Sequence, residues 1–437
     1  MAKCTLTSLS FSSFDRRKIQ ANFQGGDVSS DGGILLLRQM DRRLGLTKKL
    51  AEVLKDPRQA HLIRHHLVHL LRQRIYGISL GYEDLNDHNC LRKDMAWQTA
   101  IERKEPLASS PTLCRMENRA DRQAAWAMHE VMVEQFISSF KEAPSELILD
   151  FDATDDPLHG NQEGRAFHGY YGHWCYLPLY IFCGEQLLVS YLRTSNQDSA
   201  KHAWAILKLL SKRLREAFPE VKIIFRADSG FCRWKMLRWC EHHDIGYIVG
   251  LAKNARLLAQ IEKPLQEAQQ SYQIKQEKQR HFGWISYKAK SWDKERQIIY
   301  KAEYHDKGAN PRFVITNLQA EAQVLYDKVY CGRGEMENRI KEQQLGLFAD
   351  RTSSGQWWSN QFRLLLSSMA YLLIEGIRRY GLAGSQLARA QVSTIRLKLF
   401  KIGTVILQNT RRIRFLYSSS YPYKEVFEKA LTQISSS

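Results

Sequence analysis

The chain has 437 residues, enough for two or three domains, and it carries 64 lysines and arginines against 46 aspartates and glutamates, a net charge of +18. That excess of positive charge favours a polyanionic partner such as nucleic acid, although a ribosome or a membrane surface would require the same sign. The eight cysteines form no Cys-x-x-Cys pair, which argues against a zinc site or a disulfide framework, and no apolar run reaches the roughly 18 residues of a membrane span, so we expect a cytoplasmic protein.

The N-terminal part of the chain has a helical pattern. From residue 33 to about residue 140, apolar side chains recur at three- and four-residue spacing, which assigns residues 1–144 to a helical domain. A helix that begins near Ser110 would place Arg115 and Arg119 on one face, because residues four apart are neighbours on a helix. That face would suit DNA phosphates or a groove, and a surface helix with ordinary salt bridges explains the pattern equally well.

A dense group of carboxylates follows the first predicted strand. The apolar run that begins at Leu147 has the pattern of a buried strand, and it leads into four aspartates, Asp150, Asp152, Asp155 and Asp156. Close carboxylates repel one another and lose solvation unless a proton, a base or a cation compensates them. The group therefore indicates either a divalent-cation site or a solvated acidic loop.

Strands and helices then alternate. Two β-rich runs separated by a Gly-Glu turn predict a hairpin, and two helices alternate with two further strands. This order predicts a mixed α/β sheet, the first part of which we assign to residues 145–254. Residues 255–322 predict a polar helix and a small antiparallel β-rich insertion, and residues 323–375 return to the α/β core with a helix from Val329 to Phe348.

The last part of the chain is the most biased in charge. From Gly376 to Tyr417 it has nine basic residues and no acidic one, and Arg411, Arg412 and Arg414 are among them. A solvated face normally mixes both signs, so this stretch favours contact with a polyanion. We assign residues 376–437 to a helical, basic region for DNA binding or dimerisation.

Three carboxylates are spaced to meet. Predicted strands end at Asp152 and Asp228, although strand phase alone does not choose between Asp150 and Asp152, which share a face. Glu337 lies on a predicted helix with Arg333 and Lys341 at four-residue spacing. One helix carboxylate with two strand-end aspartates would make an all-oxygen site for a hard cation, and a ladder of surface ion pairs also explains the helix.

The order strand-Asp, strand-Asp, helix-Glu resembles the DDE transposases, which have a ribonuclease H-like core. The spacing Tyr330-x-x-Arg333-x-x-x-Glu337 is similar to the Tyr-Arg-Glu-Lys signature of the bacterial insertion sequence 4-like branch. The stretches Asp150-Phe-Asp-Ala-Thr-Asp-Asp-Pro157 and Arg226-Ala-Asp-Ser-Gly-Phe231 look most like the insertion sequence 1380 group within that branch. The fold class that this implies is a ribonuclease H-like mixed-sheet core with a helical N-terminal DNA-end-binding domain, a β-rich insertion and a helical basic C-terminal region.

The resemblance also implies roles for residues. Asp152, Asp228 and Glu337 match the catalytic aspartates and glutamate, which would hold two Mg²⁺ ions, with Mn²⁺ able to substitute. DNA contacts are implied for residues near this site and in the basic regions: Tyr330, Arg333, Lys341, Arg226, Arg115, Arg119, Arg411, Arg412 and Arg414. Where the signature lysine is expected, this chain has Gln344, and Lys341, one turn from Glu337, is the candidate substitute.

The implied function is cleavage of DNA at transposon ends and transfer of the 3′-OH strand to target DNA. The expected partners are double-stranded DNA and a second copy of the chain in a synaptic homodimer, without a membrane, in a bacterial cytoplasm near the nucleoid. Two alternatives remain open: an inactive or repurposed DNA-binding protein with a nuclease-like core, and a carboxylate-pair hydrolase in which Asp155 or Glu163 acts as the acid.

Overall fold

The structure, a computed structural model, describes residues 8–436, and the chain divides into two compact units. The first unit combines the chain up to Thr47, Pro57–Arg115 and the chain from Gly376 onward, and the second combines Lys48–Asp56 with Met116–Glu375. This division differs from the predicted domains. Residues 116–144 belong with the α/β core, and the basic C-terminal region shares a unit with the N-terminal helices.

The N-terminal part of the chain is mostly helical, as its apolar spacing predicts, but strands come first. Strands β1 (Leu9–Phe14) and β2 (Arg17–Ala21) form an exposed antiparallel hairpin, and β3 (Asp27–Ser29) follows. The helices are α1 (Ile34–Leu44), α2 (Leu46–Val53), α3 (Leu67–Leu80), α4 (Asp87–Leu91), α5 (Met95–Ile101), α6 (Ser110–Glu117) and α7 (Arg122–Ile137). Because α6 ends at Glu117, Arg119 lies in the turn beyond it, and the prediction that Arg115 and Arg119 share a helix face is wrong.

The predicted α/β alternation is present from residue 146 to residue 251. Its elements are β4 (Glu146–Ala153), β5 (Asp156–Pro157), β6 (Ala166–His168), β7 (His173–Tyr176), β8 (Leu179–Cys183), β9 (Gln186–Tyr191), α8 (Ala203–Ala217), β10 (Lys222–Ala227), α9 (Trp234–His242) and β11 (Gly246–Leu251). Strands β5, β7 and β6 form a small sheet of their own. The first of the two predicted β-rich runs, from Trp174 to Cys183, forms two strands and not one, because Pro178 between β7 and β8 has no N–H to donate to a ladder.

The predicted insertion is part of the main sheet. Its elements are α10 (Ala255–Gln260), α11 (Glu262–Lys275), β12 (Gln279–Tyr287), β13 (Arg296–His305), β14 (Gly308–Ala309) and β15 (Arg312–Thr316). The nine-stranded sheet has the order β12-β13-β15-β11-β10-β4-β8-β9, with β14 paired to β13. Strands β4, β10 and β11 are parallel and the other pairs are antiparallel, so the mixed α/β sheet is confirmed, but a separate small β sheet is not present in this segment.

The helix predicted from Val329 to Phe348 is interrupted. It consists of a π-helical turn (Leu325–Tyr330) after α12 (Ala322–Val324), a 3-10 turn (Cys331–Arg333), α13 (Gly334–Lys341) and a second π-helical turn (Glu342–Gly346). Glycines at 332 and 334 disfavour a continuous helix at this point. The long helix α14 (Trp357–Gly376) follows, and neither it nor any other helix in the described part of the chain is long and apolar enough to cross a bilayer.

The C-terminal region is only partly helical, unlike the prediction. After α15 (Val392–Ile395), a hairpin of β16 (Thr404–Gln408) and β17 (Ile413–Tyr417) pairs with β3, and α16 (Lys424–Ser435) ends the described chain. Buried Asp31 joins the segments of this unit, accepting hydrogen bonds from Tyr82 Oη, Trp97 Nε1 and Lys401 Nζ at 2.8 Å each. A buried carboxylate requires such partners, so Asp31 ties the C-terminal region to the N-terminal helices.

A buried ion pair joins the two central parallel strands. Odd-numbered residues of β4 pack into the main hydrophobic core, whereas Asp150 and Asp152 lie on the opposite face of the strand. Asp150 is directly opposite Arg226 of β10, whose guanidinium binds both carboxylate oxygens, Nη2 reaching Oδ2 at 2.6 Å. Nη1 donates to the carbonyl of Val329. With Asp150 and Arg226 only 2% and 8% exposed, this guanidinium is not presented to a ligand, so the predicted DNA contact of Arg226 is corrected to a structural role.

We expect Asp150→Ala to lower the free energy of unfolding by roughly 3–5 kcal/mol, because it leaves the Arg226 guanidinium buried without its partner. Urea unfolding measures the change. The double substitution Asp150→Leu with Arg226→Met buries no charge and is expected to be more stable than Asp150→Ala alone. A loss below about 1 kcal/mol for Asp150→Ala would show that the pair does not hold the strands.

Candidate active site

Asp152 and Asp228 lie at the same edge of the main sheet. Strands β4 and β10 are adjacent and parallel, so their carboxyl ends coincide, with Asp152 next to the last residue of β4 and Asp228 immediately after β10. Asp228 Oδ1 accepts the N–H of Gly230 at 2.9 Å and caps a 3-10 turn that begins at Ser229. This cap holds the Asp228 carboxylate at the end of its strand.

Arg333 joins Asp152 to the third carboxylate, Glu337. Its Nη1 is 3.2 Å from Asp152 Oδ2, and its Nη2 is 2.7 Å from Glu337 Oε1. The side chains of Arg333 and Asp152 are 18% and 15% exposed, whereas that of Glu337 is 44% exposed. Because Arg333 precedes α13 by one residue and Glu337 is in its first turn, the four-residue spacing seen in the sequence delivers both side chains to the end of β4.

The electrostatics of Asp152 show that the three carboxylates act on one another. Burial, together with the negative charges of Asp228 and Glu337 and against the opposing effect of Arg333, raises the pKa of Asp152 to about 6. Burial alone would lower the pKa of Arg333, but the negative charges of Asp152 and Glu337 raise it above its ordinary value. The site therefore concentrates negative charge around one guanidinium.

Tyr330 reaches the same place from the π-helical turn. A Cβ atom added at Gly250, near the end of β11, would lie 2.7 Å from Tyr330 Oη and 3.2 Å from the carbonyl carbon of Asp228. Only glycine at this position leaves room for the phenol beside Asp228. Burial, together with the charge of Asp228, raises the pKa of Tyr330, which remains a neutral hydrogen-bonding group.

The donor chemistry of Asp152, Asp228 and Glu337 fits a hard divalent cation, since all their donor atoms are carboxylate oxygens. As the side chains stand, no three His, Cys, Asp or Glu residues between positions 8 and 436 are arranged to hold a metal ion. Arg333, and not a further carboxylate, contacts both Asp152 and Glu337. A cation that bound Asp152 Oδ2 and Glu337 Oε1 would have to displace this guanidinium.

Gln344 contacts the turn after β4. Its Nε2 donates to the carbonyl of Asp155 and to Asp156 Oδ1, each at 3.0 Å. Asp155 is paired with His173 Nε2 at 2.7 Å. Gln344, at the position of the signature lysine, is therefore a neutral amide that is partly buried in the fold. Lys341, the candidate substitute, is a cation exposed at the end of α13.

The arginines predicted to contact DNA in the basic regions are exposed. These residues are Arg115, Arg119, Arg411, Arg412 and Arg414. Asn409 Oδ1 accepts the N–H groups of Arg411 and Arg412 at 3.0 and 2.8 Å, which fixes the tight turn between β16 and β17. The side chains of Arg411, Arg412 and Arg414 therefore lie on a β-hairpin and not on a helix.

The sequence patterns gave no prediction of an exposed aromatic cluster on β6 and β7 of the small sheet. Phe167 and Trp174 are paired across β6 and β7 and remain 53% and 46% exposed, and Arg165 lies 4.8 Å from the centre of the Trp174 ring. Tyr170, at the turn between the strands, is 87% exposed. Four aromatic residues within positions 167–174 were the available signal, since a core strand would not expose so many.

Asp156→Asn is expected to stabilise the protein, and to do so more strongly at higher pH. Burial raises the pKa of Asp156 well above its ordinary 3.8, and the nearby Asp350 and Asp155 add to this effect, while Gln344 opposes it. Well below pH 3.8 the carboxyl is protonated in the folded and unfolded states and the difference vanishes. As the pH rises above that value, the unfolded state ionises first, so the wild-type protein loses stability that the asparagine variant keeps.

Thermal unfolding at pH 4 and at pH 8 measures this effect. The variant should exceed the wild-type melting temperature at pH 8 and approach it at pH 4. Asparagine retains an oxygen that accepts from Gln344, so a variant that is less stable by the same amount at both values would contradict the assignment. Asp155→Asn, which loses the pair with His173, serves as the neighbouring control.

Comparison with known proteins gives one family match. The model of the family described as Transposase DDE domain group 1 matches residues 11–437. None of the curated proteins matches the chain. The structure is similar, with a TM-score of 0.43 and 8% sequence identity, to piggyBac transposase in a synaptic complex with hairpin DNA, over 84% of this chain and 79% of that one.

Proposed function

Because the chain belongs to the Transposase DDE domain group 1 family, we propose that it binds transposon terminal repeats, cleaves DNA at their ends and transfers the 3′-OH strand to target DNA. The observation that carries this proposal is the placement of Asp152, Asp228 and Glu337 around Arg333 at one edge of the sheet. The carboxylates come from two adjacent strands and one helix, the order that the sequence motifs indicate.

In this proposal the three carboxylates are the ligands of the divalent cations. Bound Mg²⁺, or Mn²⁺ in its place, would activate the attacking oxygen and stabilise the charge of the leaving oxygen. Asp152 and Asp228 are held by the ends of β4 and β10, so their oxygens are positioned before a substrate arrives. The Glu337 side chain is more exposed than those of Asp152 and Arg333. Helix α13 brings it to the strand ends.

The proposed DNA contacts begin at the site and extend to the basic regions. Arg333, Lys341 and Tyr330 lie on the segment that carries Glu337, where they would position the cleaved strand through its phosphates. The exposed arginines of the β16–β17 hairpin, with Arg115 and Arg119, would add affinity that depends on salt. Arg226 is not among these residues, because Asp150 and the Val329 carbonyl hold its guanidinium.

The proposal has finer parts. We assign the mixed sheet to the ribonuclease H-like type and the chain to the insertion sequence 4-like branch of bacterial transposases, in which the 1380 group is the most similar. Action as a homodimer is proposed because two transposon ends must be joined. A protein with this role would work in the bacterial cytoplasm at the nucleoid.

We expect Asp152→Asn, Asp228→Asn and Glu337→Gln each to reduce Mg²⁺-dependent cleavage of DNA carrying the terminal repeats by about 100-fold or more, since each removes a group that acts on the reacting oxygens. Gel analysis of end-labelled DNA measures cleavage. Glu335→Gln is the matched control, because Glu335 is exposed on the same helix. Cleavage retained by any one of the three would remove that residue from the site, and a wild-type protein that binds the ends without metal-dependent nicking would favour the inactive DNA-binding alternative.

The triple substitution of Arg411, Arg412 and Arg414 by glutamine is expected to weaken DNA binding and to make it less sensitive to salt. If each arginine contacts one phosphate, the slope of log K against log salt should fall by about 0.9 per contact, or nearly 3 in all. Fluorescence anisotropy with a labelled duplex measures the slope. Substituting the exposed Lys201, Lys208 and Lys212 changes the net charge equally, and a slope that falls as much for this control would show that overall charge and not the hairpin is responsible.

A further inference from the structure

We propose that Arg333 controls the binding of the divalent cation: its guanidinium competes with the cation for Asp152 and Glu337, and DNA removes the competition by drawing Arg333 onto a phosphate. This inference rests on the proposed function, because it takes the three carboxylates as the metal ligands. It adds that metal binding and DNA binding depend on each other, and that one named side chain couples them.

The competition follows from the atoms involved. Arg333 donates to Asp152 Oδ2 at 3.2 Å and to Glu337 Oε1 at 2.7 Å, and the Ala153 N–H donates to Asp152 Oδ1 at 2.9 Å. Both oxygens of Asp152 therefore already have a hydrogen-bond donor, and a cation between Asp152 and Glu337 would compete with the Arg333 guanidinium for them. A cation and a guanidinium at the same oxygens also repel each other, and water screens this repulsion poorly at side chains that are 15% and 18% exposed. The two positive groups therefore exclude each other from the site.

Comparison with Arg226 shows why Arg333 can be released. Arg226 makes a two-pronged contact with the single carboxylate of Asp150, is buried and has its third nitrogen on a backbone carbonyl. Arg333 makes one bond to each of two carboxylates on different elements, an arrangement without the added strength of a two-pronged pair. The first guanidinium holds the fold together, and the second can exchange its partners.

The local backbone also permits the exchange. Arg333 lies in a short 3-10 turn between a π-helical turn and α13, and irregular helical turns of this kind occur often at functional sites. A Cβ atom at Gly332 would lie 2.7 Å from Arg226 Nη1, so the chain before Arg333 is held against the fixed pair. A Cβ atom at Gly334 would have nothing within 4 Å, so the space on the other side is open.

The competition predicts changes in the affinity for the cation and in the affinity for DNA. Without DNA, Arg333 should keep the affinity for the cation low, and with DNA the affinity should rise by on the order of 10-fold, within the usual range of coupling between two sites. Because linkage is reciprocal, the cation should raise the affinity for DNA by the same factor. A transposase with this coupling would bind its metal ions chiefly when DNA is in place.

Binding of Mn²⁺ to the full chain tests the proposal without any reaction. Equilibrium dialysis or electron paramagnetic resonance gives the Mn²⁺ affinity, with and without a 30-base-pair duplex of arbitrary sequence at low salt. Arg333→Gln should bind Mn²⁺ about 10-fold more tightly than wild type without DNA, and the duplex should add little further. Arg339→Gln is the matched control, because Arg339 is on the same helix but pairs with Glu185 and Glu342.

The outcomes distinguish a failure of the role of Arg333 from a failure of the metal site. Equal or weaker Mn²⁺ binding by Arg333→Gln, in a protein whose melting temperature shows it to be folded, overturns the role of Arg333 alone. Mn²⁺ binding that Asp152→Asn leaves unchanged overturns the metal site itself and this inference with it. Arg333→Lys, which keeps the charge but can contact only one carboxylate well, should lie between wild type and Arg333→Gln, and this second variant decides the matter if glutamine prevents folding.

Discussion

The structure of the second unit depends on the buried pair of Asp150 and Arg226. It connects the central strands β4 and β10 side by side, and through the Val329 carbonyl it also holds the π-helical turn that leads to Glu337. One guanidinium thus sets the relative positions of all three elements that carry the candidate catalytic carboxylates. All three guanidinium nitrogens of Arg226 have hydrogen-bond partners in this arrangement, as a buried charge requires.

Two aspartates that lie two residues apart along β4 each contact an arginine, but in different ways. Asp150 receives a buried, two-pronged contact, whereas Asp152 receives one bond from an arginine that also serves Glu337. Both aspartates are on the same face of the strand, and they differ in their arginine partner and in their burial, which decreases toward the strand end. The inner pair is buried between the two central strands, whereas the outer group lies at the strand end and is partly exposed to solvent.

The sequence predicted where strands and helices lie along the chain better than it predicted which strands pair with each other. Periodicity located β4, β8, β9, β10 and β11, and the four-residue spacing of Arg333, Glu337 and Lys341 located the helix with the third carboxylate. It did not show that β12, β13 and β15 extend the main sheet, because alternation identifies a strand but not its partner. The region after Gly376 was assigned as helical and basic, and its charge bias, which favoured a polyanion contact, contains no information on a hairpin whose turn is set by Asn409.

The sequence by itself determined which residue types are available for chemistry: three carboxylates in the order strand, strand, helix, with an arginine four residues before the last. Tertiary structure decided what each one does. Strand phase places Asp150 and Asp152 on one face, and only the neighbouring strand, with Arg226 opposite Asp150, makes one of them structural and leaves the other at the sheet edge. Arg226 and Arg333 look alike in sequence. The aspartate that each of them contacts lies more than 70 positions away, a distance that no local pattern spans, and only the contact of Arg333 with Glu337 follows from a four-residue spacing.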